Sequence, residues 1–225
     1  MQRSLIVTSD GSHSISIPEL NVTYHSIHGA VQESLHVFIK AGLIKILEQP
    51  SLQDNLKIFE VGFGTGLNAL LTLIAVEEID AFINYEAIEP FPLPGEFVKS
   101  LNYCTILERL DLQSAFENMH DCDDTEIAIA KNFVFKKSTT ALKNFRAREK
   151  KNLIYFDAFD PKAQPELWVK EIFEKMFSIL EPEGILVTYS SKGVVRRAMQ
   201  DAGFTVEKIP GPQGKREIIR ARKIK

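Results

Sequence analysis

Ile58-Phe59-Glu60-Val61-Gly62-Phe63-Gly64-Thr65-Gly66-Leu67-Asn68 is the stretch from which the fold can be read. An apolar run meets an acid, three glycines alternate, and an apolar helical run, Leu67 to Glu78, follows. A parallel strand buried on both faces reads as such a continuous run, here ending at Glu60. The glycines let the backbone turn sharply and pass close to a ligand where a side chain would collide. The helix behind them then presents free N–H groups and its positive end to that ligand.

Gly62, Gly64 and Gly66 space as G-x-G-x-G, and Leu67 stands where the dinucleotide fingerprint requires glycine or alanine. With an acid two residues before the first glycine, the turn resembles that of S-adenosylmethionine-dependent methyltransferases of the doubly wound class. A dinucleotide site and a glycine-rich turn without a ligand are the alternatives.

Outward from the turn, strands and helices alternate. Upstream, Ser4–Thr8 and Ser12–Ile17 flank Asp10-Gly11 as a small hairpin. Apolar residues at Val31, Leu35, Phe38, Ile39, Leu43, Ile46 and Leu47 predict a helix with one buried face, then a loop over Pro50–Asn55 and a strand over Leu56–Val61. Downstream, strands are expected at Phe82–Ile88, Asn132–Phe135, Leu153–Phe156 and Gly184–Tyr189, with helical fragments between Leu107 and Met119. Pro165 opens a helix whose stripe, Trp168 included, belongs to a core, and Glu181-Pro182-Glu183-Gly184 ends it. A helix over Lys192–Ala202 stops at Gly203, and Phe204–Ile209 pairs with Arg216–Ala221 as a terminal hairpin. The predicted fold is α/β: a doubly wound, mostly parallel sheet of the class I, Rossmann-like type. Residues 1–22 form an N-terminal appendage and 23–225 the main domain.

Composition narrows the setting. The 225 residues, 44% hydrophobic and 25% charged, are those of a soluble globular protein. No apolar run suits a signal peptide or a membrane span, so a cytoplasmic protein with no membrane partner is expected. Cys104 and Cys122 lack metal-ligand spacing, and His25, His28 and His36 form no metal constellation, so no metal is assigned. The net charge of −3 hides two basic segments, residues 131–151 and 192–225, each carrying a net +7. An acidic body with two basic segments suits a polyanionic partner; two separate solvated faces are the alternative.

Glu89, after the second core strand and roughly twenty residues past the glycines, can accept hydrogen bonds from ribose hydroxyls, with Glu86 as the fallback. Lys136-Lys137-Ser138-Thr139 offers no acid for adenine, which leaves backbone groups or Ser138.

Three segments together resemble one family: Glu60 to Asn68, Phe156 to Trp168 (F-D-A-F-D-P-K-A-Q-P-E-L-W), and Thr188 to Glu217 with Gly214-Lys215-Arg216-Glu217. Tyr24-His25-Ser26 through Glu33-Ser34 to Val37-Phe38 also looks like the family's opening segment. The family is the methyltransferase part of the bacterial tRNA-modifying enzyme MnmC and its standalone MnmD-type relatives. The resemblance implies S-adenosyl-L-methionine as cofactor and tRNA, at its anticodon region, as partner. It also implies N-methylation of a 5-aminomethyl group on wobble uridine, usually 2-thiolated. The chain has no room for the flavin domain of fused members, so separate enzymes would supply the amine.

On that resemblance the cofactor residues are Glu60, Gly62, Phe63, Gly64, Gly66, Leu67, Asn68, Glu89, Ser138, Asp157 and Ala158. Asp157, at the end of a core strand, is the candidate to orient the amine and accept its proton, while a local turn role is the alternative. Asp160 reads as turn chemistry. Tyr24, Phe159, Arg196, Arg197, Lys215 and Arg216 are the tRNA candidates, the four cations as phosphate contacts. Tyr24 suits either stacking on a base or closing over the cofactor's methionine end. A small-molecule methyltransferase and a non-catalytic RNA-binding module are the rival functions.

Overall fold

From Asn55 onward each core strand carries apolar side chains on both faces, so the sheet they build is covered on both sides. The computed structural model describes residues 2–49 and 55–224, which leaves most of the loop expected at Pro50–Asn55 outside the described residues. Its main sheet contains β4 (Asn55–Val61), β5 (Phe82–Ile88), β6 (Glu126–Ala130), β7 (Phe133–Ser138), β8 (Lys151–Phe156), β9 (Leu180–Thr188), β10 (Thr205–Pro210) and β11 (Glu217–Arg222). The strand order is β10-β11-β9-β8-β4-β5-β7-β6. The pairs β4–β5, β5–β7, β4–β8 and β8–β9 are parallel, while β11 runs antiparallel between β9 and β10. This is the doubly wound sheet with a C-terminal hairpin that the sequence predicts.

The chain leaves β4 toward β5 and β7, then returns to β8 on the other side of β4. Such a reversal opens a crevice at the carboxyl ends of the central strands. Alternating side chains of those strands enter two cores. Ile58 and Tyr155 face one with Phe38, Leu43 and Leu70, whereas Phe59 and Phe156 face the other with Trp168 and Phe173. The helices between strands are α2 (Leu67–Ala75), α3 (Gly95–Ser100), α4 (Tyr103–Ile106), α5 (Gln113–Asp121), α6 (Lys170–Ile179) and α7 (Gly193–Asp201).

Ahead of the sheet, helix α1 begins as Ala30–Ser34, widens into π-helical turns over Leu35–Ile44, and closes with Lys45–Leu47. The wider turns rotate the buried face, so Val37 and Ala41 are buried although ordinary helical spacing left them out. The N-terminal strands β1 (Ser4–Val7), β2 (His13–Ile17) and β3 (Val22–Thr23) form a three-stranded antiparallel sheet, one strand more than the expected hairpin. β3 straddles the boundary expected between residues 22 and 23. Ile15 is fully buried in the core shared with α1, and Tyr103 Oη donates to the His13 carbonyl at 2.8 Å.

Three local expectations change. Pro165–Leu167 makes only a 3-10 turn, and the helix proper starts at Lys170. β9 begins at Leu180 and runs through Glu181-Pro182-Glu183-Gly184, which the sequence suggested as a stop. The strand tolerates Pro182 because its register with β8 shifts there, with Glu183 at φ +64°. Edge strand β6, which was not expected, starts where the acidic stretch Asp121–Glu126 ends, and it pairs antiparallel with β7. Among the described residues no helix is long and apolar enough to cross a membrane.

Gly42 lets α1 lie against β8 and β9: a Cβ there would sit 2.9 Å from Val187 Cγ2 and 3.2 Å from Tyr155 Cε1. Gly42→Leu is therefore expected to lower stability by about 1–3 kcal/mol through overpacking. Gly95→Ala, whose Cβ would meet nothing within 4 Å among the described residues, should raise it by up to about 1 kcal/mol. Urea midpoints of the two variants check the contrast.

Candidate active site

Past Val61 the backbone takes positive φ at Gly62 (+88°), Gly64 (+52°) and Gly66 (+74°), conformations that side chains other than glycine rarely adopt. Gly62 and Phe63 N–H groups donate to the Ile88 carbonyl at 3.1 Å, and Asp157 N–H donates to the Val61 carbonyl at 2.9 Å. The ends of β4, β5 and β8 are thereby laced together. A Cβ on Gly62 would lie 2.6 Å from the Asp157 carbonyl oxygen, so only glycine allows the two loops to touch.

A cavity of about 640 Å³ opens over this junction. Of the residues expected at the site, Tyr24, Gly62, Phe63, Gly64, Glu89, Asp157, Ala158 and Phe159 line it. Glu89 is buried; its Oε2 accepts from Gly64 N–H at 2.9 Å and its Oε1 from Phe91 N–H at 3.0 Å. Burial raises its pKa, and those two hydrogen bonds oppose the shift. The Tyr24 ring stands edge-on to Phe159 at a centroid distance of 5.0 Å. Arg3, Ile17 and Leu20 of the N-terminal segment add a wall, and Arg3 donates to the Phe91 carbonyl at 3.0 Å.

The other expected residues lie elsewhere. Glu60, Leu67 and Asn68 are buried behind the glycine loop, and Gly66 caps α2. Ser138 does not line the cavity: its Oγ accepts from Thr140 N–H at 3.2 Å and its carbonyl from Glu89 N–H at 2.9 Å. Ala141, Leu142 and Lys143, which the sequence did not single out, provide that part of the wall. Arg197 and Arg216 are exposed, and Arg196 is half-buried, all three outside the cavity. Lys215 is paired with Glu33, a residue not picked out individually; the acid in the first turn of α1 was its only signal.

A buried polar chain supports Asp157. Asn68 Nδ2 donates to Glu60 Oε1 and to Asp157 Oδ2, both at 2.9 Å, and Tyr85 Oη donates to Glu60 Oε2 at 2.9 Å. Burial holds the Glu60 pKa well above the usual carboxylate range, and the charge of Asp157 adds to this. Burial, followed by the charge of Glu33, pushes Asp157 up to about 7; the Asn68 hydrogen bond and Lys215 oppose the rise. His25 Nε2 lies 2.6 Å from Thr65 Oγ1, and His120 Nε2 lies 3.1 Å from the Thr65 carbonyl. Burial lowers these imidazoles to about 4 and about 3, so both are neutral props of the glycine loop.

These residues fit S-adenosyl-L-methionine. The cavity has the volume of a small-molecule site, and its glycine floor leaves no room for Cβ atoms. Among the described residues no group of three or more His, Cys, Asp and Glu could hold a metal ion.

A family model described as S-adenosyl-L-methionine-dependent methyltransferase matches residues 107–224. The chain is similar to a tRNA 5-methylaminomethyl-2-thiouridine biosynthesis bifunctional protein MnmC of Burkholderia mallei, 27% identical over 232 residues. That match covers 96% of this chain and 34% of the Burkholderia protein. The Burkholderia thailandensis protein of the same name is also 27% identical, over 229 residues, with 96% and 34% covered. The chain thus spans about a third of the length of these curated relatives. The crystal structure of MnmC2 from Aquifex aeolicus superposes with a TM-score of 0.74 at 24% identity, covering 98% of this chain and 70% of that one. That likeness shows the fold.

Two outcomes follow from the geometry. Gly62→Ala should weaken cofactor binding at least about tenfold in calorimetry, because the opposing atom is backbone and the φ is positive. Asp157→Asn should stabilise the fold at pH 8, measured by urea unfolding. The folded pKa lies above the ordinary 3.8, so the group's contribution to stability is lost as pH rises through about 7. The gain is at most about 4 kcal/mol and should vanish below pH 4.

Proposed function

This chain belongs to the S-adenosyl-L-methionine-dependent methyltransferase family, and on that premise we propose that it N-methylates the 5-aminomethyl group of wobble uridine in tRNA. The product would be 5-methylaminomethyluridine, on 2-thiolated or plain uridine, made in the cytoplasm. The observation that carries the reading is Asp157: a carboxyl on the wall of the cofactor cavity, held by Asn68 and poised to change protonation near neutrality. Similarity to the MnmC relatives over 96% of the chain supports the substrate. Exposed Arg197 and Arg216 suit phosphate contacts.

Bound S-adenosyl-L-methionine supplies a methyl group on a sulfonium, an electrophile that needs only an aligned nucleophile. The chain's own residues then have three tasks. Gly62 and Gly64 give the cofactor close access to backbone, and Glu89 holds the loop through Gly64 N–H. Tyr24 and Phe159, in contact across the cavity, exclude water from it. Asp157 Oδ1, the oxygen not engaged by Asn68, orients the amine and takes its proton. An alkyl amine with a pKa of about 10.4 is protonated at pH 7, a deficit of roughly 4–5 kcal/mol that positioning and the base must offset.

Nucleoside mass spectrometry of aminomethyl-uridine tRNA incubated with protein and labelled cofactor should show one added methyl on the wobble base. An unmodified tRNA pool, with methyl transfer to free amines instead, would overturn the tRNA reading. Asp157→Ala should keep cofactor affinity within several-fold and lower turnover by about 10²–10⁴. In the wild type, kcat/KM should fall as pH drops below about 7, where Asp157 holds its proton.

A further inference from the structure

Lys215 sits in the hairpin loop between β10 and β11, where the sequence placed a phosphate contact. In the structure its ammonium pairs with Oε1 of Glu33, a buried carboxylate whose Oε2 is already engaged by Ser26 N–H at 2.9 Å. The same ammonium lies over the face of Tyr189, 4.0 Å from the ring centroid. Tyr189 Oη donates to the Ala158 carbonyl at 2.9 Å, so the ring is fixed to the residue that follows Asp157 and lines the cavity. A carboxylate beneath, an aromatic face beside and a second carboxylate within electrostatic reach make an ammonium site.

The occupant of that site comes from outside. The Lys215 side chain is 27% exposed, against 8% for Glu33. Its loop rests on α1 and the turn before it by contacts that do not involve the ammonium. His36 Nε2 bonds the Pro210 carbonyl at 2.8 Å, and Gly214, at φ +84°, packs so closely on His28 that a Cβ would lie 2.3 Å from its ring. The loop can therefore keep its place while the long, flexible side chain of Lys215 leaves. What cannot be left behind is the charge balance. Without Lys215, Glu33 and ionised Asp157 would repel each other with no cation between them, and an unpaired buried carboxylate is strongly disfavoured.

We propose that Lys215 is a stand-in for the substrate's ammonium. An alkylammonium group entering beside Asp157 replaces it on Glu33 and Tyr189, and Lys215 swings to the solvent side. The inference rests on the reading of the site as one for an alkyl amine. It adds Glu33 and Tyr189 as the residues that select a cation over a neutral group of the same size. Charge is conserved: one ammonium departs as another arrives, and Asp157 is left to take the incoming proton. On the solvent side Lys215 becomes free to meet a phosphate only once the amine is in place.

The test is a titration of the full chain, loaded with S-adenosylhomocysteine, with propylammonium and with its neutral counterpart propanol. The lysine ε-methylene resonances are followed by NMR, and the Lys215 signal is assigned by its loss in Lys215→Met. Propylammonium should move the Lys215 ε-methylene signal from its ring-shifted position to that of a free lysine, and propanol should not. Lys215→Met should bind propylammonium at least about tenfold tighter than wild type. Glu33→Gln should lose that binding, with S-adenosylhomocysteine affinity unchanged in both variants. If saturating propylammonium leaves the Lys215 signal over the ring, or binds nowhere, the pair is a tether of the hairpin and the proposal fails. The wild-type titration decides this even if a variant does not fold. A negative nucleoside assay on tRNA would remove the tRNA reading and leave the displacement result standing.

Discussion

One amide joins the two halves of the site. Asn68 Nδ2 has two hydrogens, and it gives one to Glu60 and the other to Asp157. Glu60 ends the apolar run of β4, Asn68 lies in the first turn of α2, and Asp157 follows β8. Tyr85 of β5 completes the carboxyl of Glu60. Burying two carboxyls this close is costly unless each oxygen finds a donor, and this bridge supplies one to each acid. The strand ends can then converge only in the arrangement that keeps the glycine loop against Asp157.

That convergence gathers buried titratable groups around a glycine turn, and the sheet around it bears the load. Three glycines hold positive φ in succession, Asp157 is held above its ordinary pKa, and two imidazoles are kept neutral beneath the loop. None of these would persist on a mobile scaffold. Here they sit on four parallel pairings and two cores filled by Phe59, Tyr85, Tyr155 and Phe156, all fully buried. Packing provides the stability that the site consumes.

What could be read from the sequence follows from how local each signal is. The glycine turn, the strand before it and the helix after it are contiguous, so Gly62, Gly64 and Glu60 declare themselves together. Glu89 and Asp157 could be named because each ends an apolar strand. The Lys215–Glu33 pair could not: Glu33 is one acid in an amphipathic helix, and Lys215 is one cation in a segment of ten basic residues. Composition gives a segment its charge but does not say which ammonium turns inward. Ser138 was offered beside backbone groups for adenine, yet β7 runs on through it and it does not line the cavity, where apolar Ala141 and Leu142 form the wall. The π-helical turns of α1 and edge strand β6 were hidden for a related reason. Both lie against neighbours distant in the chain or outside the local pattern, Gly42 of α1 on β8 and β9 in one case and β6 on β7 in the other.

The position of Glu33 also bears on how an amine could lose its proton. A carboxyl at its ordinary 3.8 is too weak a base for an ammonium near 10.4, a mismatch of about 9 kcal/mol. Raising Asp157 to about 7 cuts the mismatch to about 5 kcal/mol. After burial, the largest contribution to that rise is the negative charge of Glu33. In the proposed reaction the same carboxylate attracts the cationic amine and makes its neighbour a stronger base. Once the proton reaches Asp157, the repulsion between the two acids is relieved, which offsets part of the attraction that the amine gives up at Glu33. Lys215 fits this account from the other direction: while it occupies the site it lowers Asp157, and the substrate's ammonium takes over that charge until it gives up its proton.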